Sequence, residues 1–197
     1  APHVETSAGM ILPDDYLQQI GEAVRSVDGL FVLDCIASGA MWVNMKKTLV
    51  DVVISAPQKG WSSSPCCALI GLSERAREKI DSTQSTSFSC DLKKWLQIME
   101  SYESGSHSYH TTMPTDALTR LREVMKETQA YGFAKVKQEQ IELGVRVREL
   151  LDDPSLPEEP ETHLSAQGFR PEGPQKTGPS DIATNPRPRR YFSSTTT

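Results

Sequence analysis

A carboxylate and an amine stand at the ends of two strand-like segments. Asp34 closes the apolar run "LFVLD", and Lys59 follows "VDVVISAPQ" 25 residues later. In an open α/β sheet the carboxyl ends of the strands line the binding crevice, so we expect both groups at one site. A lysine that is partly desolvated there can be neutral and nucleophilic. The same spacing is also compatible with a salt bridge that has no catalytic role.

Strands and helices in alternation must position these two groups. Strands buried on both faces are predicted from three continuous apolar runs, at 30–36, 50–56 and 66–73. Residues 14–29 predict an amphipathic helix with an acidic start and a glycine stop, and Ser73 is expected to cap a short helix over 73–81. This order of elements predicts an α/β fold with a mainly parallel sheet flanked by helices.

The rest of the chain changes in character twice. Residues 1–114 form the first predicted unit, and apolar residues at helical spacing over 115–151 predict a helical connector that Gly132 divides or kinks. Residues 152–197 contain eight of the thirteen prolines and few apolar side chains. Such a segment buries too little apolar surface to offset its ordering entropy, so we predict a disordered tail.

Composition excludes several classes of function. A length of 197 residues fits about one domain, and a net charge of −5 argues against a nucleic-acid surface or a polybasic membrane anchor. No apolar run approaches the roughly 18 residues that a membrane span needs. The four cysteines lack metal-ligand spacing, and the adjacent pair Cys66–Cys67 is a poor disulfide candidate, so we expect reduced, buried thiols in an intracellular protein. The compartment (cytoplasm, peroxisome or mitochondrion) stays open.

Several longer motifs carry a resemblance to a known family. They are "HVETSAGMILP" (3–13), "LDCIASGAMWV" (33–43), "DVVISAPQKGW" (51–61), "SPCCALIGLSERAR" (64–77) and "SYHTTMPTDALTRLRE" (108–123). In this order they resemble the class V aminotransferases that bind pyridoxal 5'-phosphate, in the branch of the alanine–glyoxylate and serine–pyruvate enzymes. The resemblance implies part of the large domain of a fold-type I enzyme. It also implies amino-acid and 2-oxo-acid substrates.

The resemblance assigns the central roles to the two groups named first. Lys59 is similar to the lysine that forms the internal Schiff base with the cofactor, and Asp34 to the partner of its pyridine nitrogen. A carboxylate at that nitrogen favours the protonated ring, which the cofactor needs as an electron sink. Ile36 is expected against one face of the ring. When substrate displaces Lys59, the freed amine can transfer the α-proton as general base and acid.

Four further residues match the family's cofactor contacts. Thr6 matches a hydroxyl near the cofactor's phenolic oxygen, and Gln58 a polar residue near the phosphate. Tyr109 and Thr112 match residues that reach the phosphate from the other subunit. The resemblance therefore implies a homodimer with shared active sites.

Alternatives remain for the function and for some residues. Cysteine desulfurases of the same class usually have His before the lysine, where this chain has Gln58. Complete family members are considerably longer, so a catalytically incompetent fragment, acting only as a dimer partner, is the second hypothesis. The serines at 62–64 are expected to form a polar turn. His110 is expected to be structural, and the tryptophans at 42 and 61 are expected to pack.

Overall fold

A computed structural model describes residues 1–7 and 9–152 of the chain. Its elements, in chain order, are β1 (Val4–Glu5), β2 (Met10–Ile11), α1 (Asp14–Ser26), β3 (Val32–Asp34), α2 (Met45–Thr48), β4 (Val52–Ser55), β5 (Leu69–Leu72), α3 (Glu74–Asp81), α4 (Leu92–Glu103), α5 (Thr115–Tyr131) and α6 (Phe133–Leu151). The predicted tail lies outside these residues, apart from Asp152. No helix in the described ranges is both long and apolar enough to cross a bilayer.

The main sheet contains three strands in the order β3–β4–β5. The pair β3–β4 is parallel, with Asp34 opposite Ile54, as the sequence predicts. The pair β4–β5 is antiparallel, with Val52 opposite Leu72, so the described sheet is mixed rather than mainly parallel. The connection from β4 to β5 contains no helix. The strand β5 begins at the end of the sheet where β4 ends, so the two strands run in opposite directions.

A small hairpin extends this arrangement beside β3. Strands β1 and β2 pair in antiparallel fashion, and Pro2 forms a parallel bridge to Asp34. The backbone N–H of His3 donates to the Asp34 carbonyl oxygen at 2.8 Å. The segment that enters β1 therefore runs in the same direction as β3 and β4.

The hydrophobic core lies between α1 and one face of the sheet. Leu17 on α1 and Leu33 on β3 are fully buried, and they form one cluster with Phe31, Cys35 and Val50. The helix α1 begins with two acidic residues, which favour a helix N-terminus. It stops at Ser26, because Asp28 adopts a left-handed conformation (φ 53°) that cannot continue an α-helix.

The opposite face of β3 is open, which corrects the prediction of strands buried on both faces. Val32 is 40% exposed and Asp34 is also exposed, whereas Leu33 between them is buried. Successive strand residues point to opposite faces, and α1 covers only the face that carries Leu33. The apolar character of the run 30–36 could not show that its second face lacks a cover in the described chain.

A buried carboxylate holds the other end of the sheet together. Asp51, which precedes β4, is 0% exposed. Its Oδ2 accepts the Phe31 backbone N–H at 3.0 Å and a hydrogen bond from Arg75 at 3.2 Å, and its Oδ1 accepts one from Ser73 Oγ at 3.0 Å. Ser73 also caps α3, as predicted, by accepting the Ala76 backbone N–H. This network joins β3, β4 and α3 at the edge opposite to Lys59.

The C-terminal helices match the sequence pattern closely. Gly132, with φ 106°, separates α5 from α6 where the sequence predicts a division. Leu121 and Val124 are buried on α5, whereas α6 has no buried residue. Ile141, Leu143, Val145 and Val147 are all partly or largely exposed on α6.

Candidate active site at the carboxyl edge of the sheet

Three of the candidate residues follow segments that run in one direction. Asp34 ends β3, Lys59 comes four residues after the end of β4, and Thr6 comes directly after β1. Because β3 and β4 are parallel and Pro2 pairs with Asp34 in the same sense, all three lie toward the carboxyl edge of these strands. The structure therefore brings Thr6, Asp34 and Lys59 to one side of the fold.

Two hydrogen bonds hold the backbone of Asp34 against the N-terminal segment. Its N–H donates to the Ala1 carbonyl oxygen at 2.9 Å, and its own carbonyl oxygen accepts the His3 N–H. The carboxylate Oδ1 accepts the backbone N–H of Ile36 at 2.9 Å, which closes a tight turn. Oδ2 has no hydrogen-bond or ion-pair partner in the described part of the chain. The turn thus positions Oδ1, while Oδ2 can accept a hydrogen bond from another donor.

Lys59 lies in a turn that is built from backbone hydrogen bonds. The Ser62 N–H donates to the Lys59 carbonyl oxygen, and the Ser63 N–H to that of Pro57, both at 3.0 Å. Ser62 has a left-handed backbone with φ 55°, so the serine segment does form a turn, as expected. Within residues 1–7 and 9–152, the Lys59 amine makes no ion pair or hydrogen bond.

The burial expected for this pair is absent in the described residues. Lys59, Gln58 and Asp34 are all exposed, and Ile36 is only half-buried. The physical reason is the open face of β3, since Asp34 lies on it and no described element covers it. A cavity of about 330 Å³ lies close by on the loops that carry Gly39, Trp42 and Trp61, but Asp34 and Lys59 do not line it.

The two loops that carry the site contact each other directly. A Cβ atom placed on Gly60 would overlap the backbone of Gly39, including its carbonyl oxygen. Only glycine therefore allows the Lys59 turn to approach the loop that follows Asp34 this closely. Gly39 itself has φ 58°, a left-handed conformation that favours glycine. The relative position of the two loops is fixed by this pair.

An aromatic cluster supports the same contact from the side of α6. The rings of Trp42 and Trp61 lie 5.0 Å apart, and each packs edge-on against Phe133. The Trp42 indole N–H donates to the Phe133 carbonyl oxygen at 3.2 Å, and the Lys137 amine donates to that of Trp42 at 2.9 Å. The two tryptophans are packing residues, as predicted, and they connect α6 to both site loops.

A buried histidine that is not among the predicted site residues also supports the loop after Asp34. His3 is 3% exposed, and its Nδ1 lies 2.7 Å from Ser38 Oγ. Burial lowers the pKa of His3, so the ring is held neutral. The bond joins the segment that leads to Thr6 with the loop that follows Asp34. In the sequence, only the position of His3, three residues before Thr6, could have indicated this supporting role.

Tyr109 and Thr112 lie in the loop between α4 and α5. The Tyr109 hydroxyl lies 3.1 Å from Thr112 Oγ1, and Tyr109 is 74% exposed. No contact in the described chain connects them with Lys59. His110 between them contacts the rings of Phe88 and Trp95, and its Nε2 lies 3.0 Å from the Phe88 carbonyl oxygen, so its role here is structural.

Several aminotransferases are similar to this chain in sequence or in fold. No model of a protein family matches the chain. The alanine–glyoxylate aminotransferase of Felis catus is 33% identical over 122 residues, which cover 60% of this chain and 28% of that enzyme. The crystal structure of the alanine–glyoxylate aminotransferase of Nostoc sp. superimposes with a TM-score of 0.67 at 27% identity, over 79% of this chain and 40% of that one.

A further solved structure belongs to the same group. The ureidoglycine–glyoxylate aminotransferase of Bacillus subtilis superimposes with a TM-score of 0.56 at 30% identity, over 70% of this chain and 34% of that one. The chain spans between 20% and 39% of the length of the curated aminotransferases that it matches. Over the matched region, this chain is therefore homologous to class V aminotransferases of the alanine–glyoxylate type and has part of the fold of a fold-type I enzyme.

Proposed function

We propose that this chain carries the cofactor-anchoring edge of a pyridoxal 5'-phosphate-dependent transaminase. The reaction would transfer an amino group from alanine or serine to glyoxylate or pyruvate. One observation carries the proposal. Lys59, whose amine has no polar partner among the described residues, and Asp34, whose Oδ2 has none there either, lie at the same edge of a parallel strand pair, on loops that meet at Gly39 and Gly60.

The residues present fit such a cofactor in chemical type. Lys59 offers an amine without a partner in the described chain, which can bond covalently to an aldehyde carbon. Oδ2 of Asp34, which has no partner among the described residues, would favour a proton on a ring nitrogen, while Oδ1 accepts the Ile36 N–H. Thr6 and Gln58 add a hydroxyl and an amide as hydrogen-bond donors, and Ile36 adds an apolar contact for a ring. When bound, the cofactor supplies an electron sink for the substrate's α-carbon.

Proton transfer is the second role of Lys59. With the cofactor and an amino acid bound, a free Lys59 amine would remove the proton from the substrate's α-carbon as general base. It can then return a proton as general acid. Two backbone hydrogen bonds and the Gly39–Gly60 contact hold the backbone of the turn from Pro57 to Ser63 against the loop that follows Asp34, so the side chain of Lys59 starts from a defined position.

We also propose that two hydroxyls act across a homodimer. Tyr109 and Thr112 hydrogen-bond to each other on an exposed loop, and no described contact joins them to the Lys59 of their own chain. Two adjacent hydroxyls can donate to one phosphate group. In the proposed dimer, the exposed hydroxyls of Tyr109 and Thr112 on one chain would face the open site edge that carries Lys59 on the other chain.

A second function is favoured by one observation. Lys59 and Asp34 are both exposed, whereas a reactive lysine needs a partly desolvated setting. A chain that binds the cofactor without turnover, acting only as a dimer partner, fits this exposure.

Cofactor titration with chemical trapping separates these functions. The chain is mixed with pyridoxal 5'-phosphate, visible absorbance is recorded, and the adduct is reduced with borohydride for peptide mass analysis. We expect one adduct, on Lys59, which Lys59→Ala removes and Lys46→Ala, an exposed lysine on α2, leaves unchanged. An adduct spread over surface lysines would contradict the proposal. A specific adduct without amino transfer from alanine to glyoxylate would support the non-catalytic function.

A further inference from the structure

A largely apolar cavity of about 430 Å³ lies between β5 and α4. Ile70 and Leu72 on β5 face it from one side, and Trp95 and Leu96 on α4 from the other. Three thiols, those of Cys66, Cys67 and Cys90, also line it. None of the residues proposed for transamination lines this cavity, so any ligand that binds in it would have a different role.

Two of these thiols are in mutual contact. The Sγ atoms of Cys66 and Cys67 lie 3.7 Å apart, and both cysteines are free and half-buried. The Cα atoms of adjacent residues are only about 3.8 Å apart, below the roughly 4.4–6.8 Å that disulfides usually span, so a direct bond would force this backbone to rearrange. A single larger atom bonded to both sulfurs needs less rearrangement, because the two thiols already converge. The contact therefore favours a bridging ligand over a disulfide.

We propose that Cys66 and Cys67 form a two-thiol binding site for a trivalent aryl arsenoxide, whose aryl group occupies the cavity between β5 and α4. The thiols supply both bonds to the arsenic atom, and Trp95, Leu96 and Ile70 supply apolar contacts for the ring. The proposal is independent of the aminotransferase function, because it involves neither Lys59 nor Asp34.

The reaction balances without an oxidant or a reductant. The arsenic–oxygen bonds break and two arsenic–sulfur bonds form. The two S–H protons leave with the oxygen atom as one water molecule. Arsenic stays trivalent and neither sulfur is oxidised, so the product is a cyclic dithioarsenite.

The setting of Cys67 favours this reagent class over alkylating reagents. Burial, together with the neighbouring Cys66 thiol, raises the pKa of Cys67 to about 11, so the thiol is protonated near pH 7. Alkylating reagents require the thiolate and should react slowly there. The condensation carries the thiol protons away in water, so it does not depend on a standing thiolate.

Burial of the aryl group adds a hydrophobic contribution to the binding. The cavity lining is mostly aliphatic and aromatic carbon, with Met99 and Met113 beside Trp95. Burying a ring against these side chains removes apolar surface from water. An aryl arsenoxide should therefore bind at least about tenfold more tightly than a methyl arsenoxide at the same thiols.

The test uses phenylarsine oxide with the full chain. Native mass spectrometry measures its stoichiometry, and tryptophan fluorescence measures its affinity in competition with a monothiol. We expect one equivalent bound with loss of one water, and a fluorescence change that Trp95→Phe reduces. Cys66→Ser and Cys67→Ser should each weaken binding at least about a hundredfold, because the second, intramolecular arsenic–sulfur bond is lost, whereas Cys90→Ser should retain it.

Three outcomes would overturn the proposal. One is equal binding by the native and the urea-unfolded chain, which would mean that adjacent cysteines suffice without the cavity. A second is equal affinity for phenyl and methyl arsenoxides. The third is loss of binding in Cys90→Ser with retention in Cys66→Ser. Circular dichroism of each variant confirms that a loss of binding is not a loss of fold.

Discussion

Replacing Gly60 by alanine tests whether the contact between the two site loops positions Lys59. The new Cβ atom would lie 2.7 Å from the Cα of Gly39, and the Gly39 carbonyl oxygen would be nearer still. Ordinary contacts of a Cβ atom begin at about 3.4 Å, so the loops would have to separate by at least about 0.7 Å. The obstruction is backbone on both sides, so no side-chain rotation can relieve it.

The displacement should affect stability and the site separately. Forcing one methyl group into a packed contact typically costs about 1–3 kcal/mol of the free energy of unfolding. A misplacement of about 1 Å at a reacting group can lower a rate on the order of 100-fold. We therefore expect Gly60→Ala to lower the urea midpoint, and to slow the trapping of pyridoxal 5'-phosphate at Lys59 by more than the stability loss explains.

The assay needs a control that changes glycine to alanine without a backbone clash. Gly144 on α6 meets that need, because its nearest neighbour is the flexible end of Arg148, at 3.4 Å. In a helix this change is worth roughly 0.5–1 kcal/mol in favour of alanine, so the control should keep or raise stability. Urea unfolding is followed by circular dichroism, and borohydride trapping by mass analysis.

One result would refute the reasoning about the loops. If Gly60→Ala unfolds at the same urea concentration as the parent and traps the cofactor at the same rate, the two loops are not held by this contact. If stability falls and trapping does not change, the contact supports the fold but does not position Lys59.

Three other substitutions test the supports of the site. Asp51→Ala should destabilise the chain by about 3–5 kcal/mol in urea unfolding, because it leaves buried donors and Arg75 without their carboxylate. Glu127→Ala, at the exposed ion pair with Arg120 on α5, should change the urea midpoint much less. Equal effects would contradict the role of burial. Burial lowers the pKa of His3, so the unfolded chain binds more protons and stability should fall as pH drops below about 6.5. His3→Asn should show a weaker pH dependence of the urea midpoint, and an unchanged dependence would exclude His3 as the group. Phe133→Ala should cost about 1–3 kcal/mol through two lost aromatic pairs, and an unaltered midpoint would show that α6 is not anchored there.

Helices were the most predictable part of the fold. The periodic apolar residues, the cap at Ser73 and the break at Gly132 act locally, so sequence alone predicts α1, α3, α5 and α6. The helix α4 was not predicted, although it also has a local signal, because the Asp91 side chain caps it by accepting the Lys94 N–H. The direction of β5 has no such signal, because a short apolar run does not encode the direction of its pairing.

The candidate site was predictable in position but not in environment. Asp34 and Lys59 could be placed at a common edge because strand ends can be read from apolar runs. The exposure of these two side chains could not be predicted, since it depends on what covers the second face of β3. The contributions of His3 and Gly39 also depend on contacts between segments distant in sequence, namely His3 with Ser38 and Gly39 with Gly60.

The position of Asp51 has a consequence for strand register. The strand β4 follows Asp51 directly and leads to Lys59 at its other end. A slip of β4 by one residue would turn the Asp51 carboxylate to the opposite face and break its bonds to Phe31, Ser73 and Arg75 together. The same slip would move Lys59 along the sheet by about 3.3 Å, one strand residue. The bonds of Asp51 therefore fix the register of β4, and through it the position of Lys59 at the opposite end of the strand.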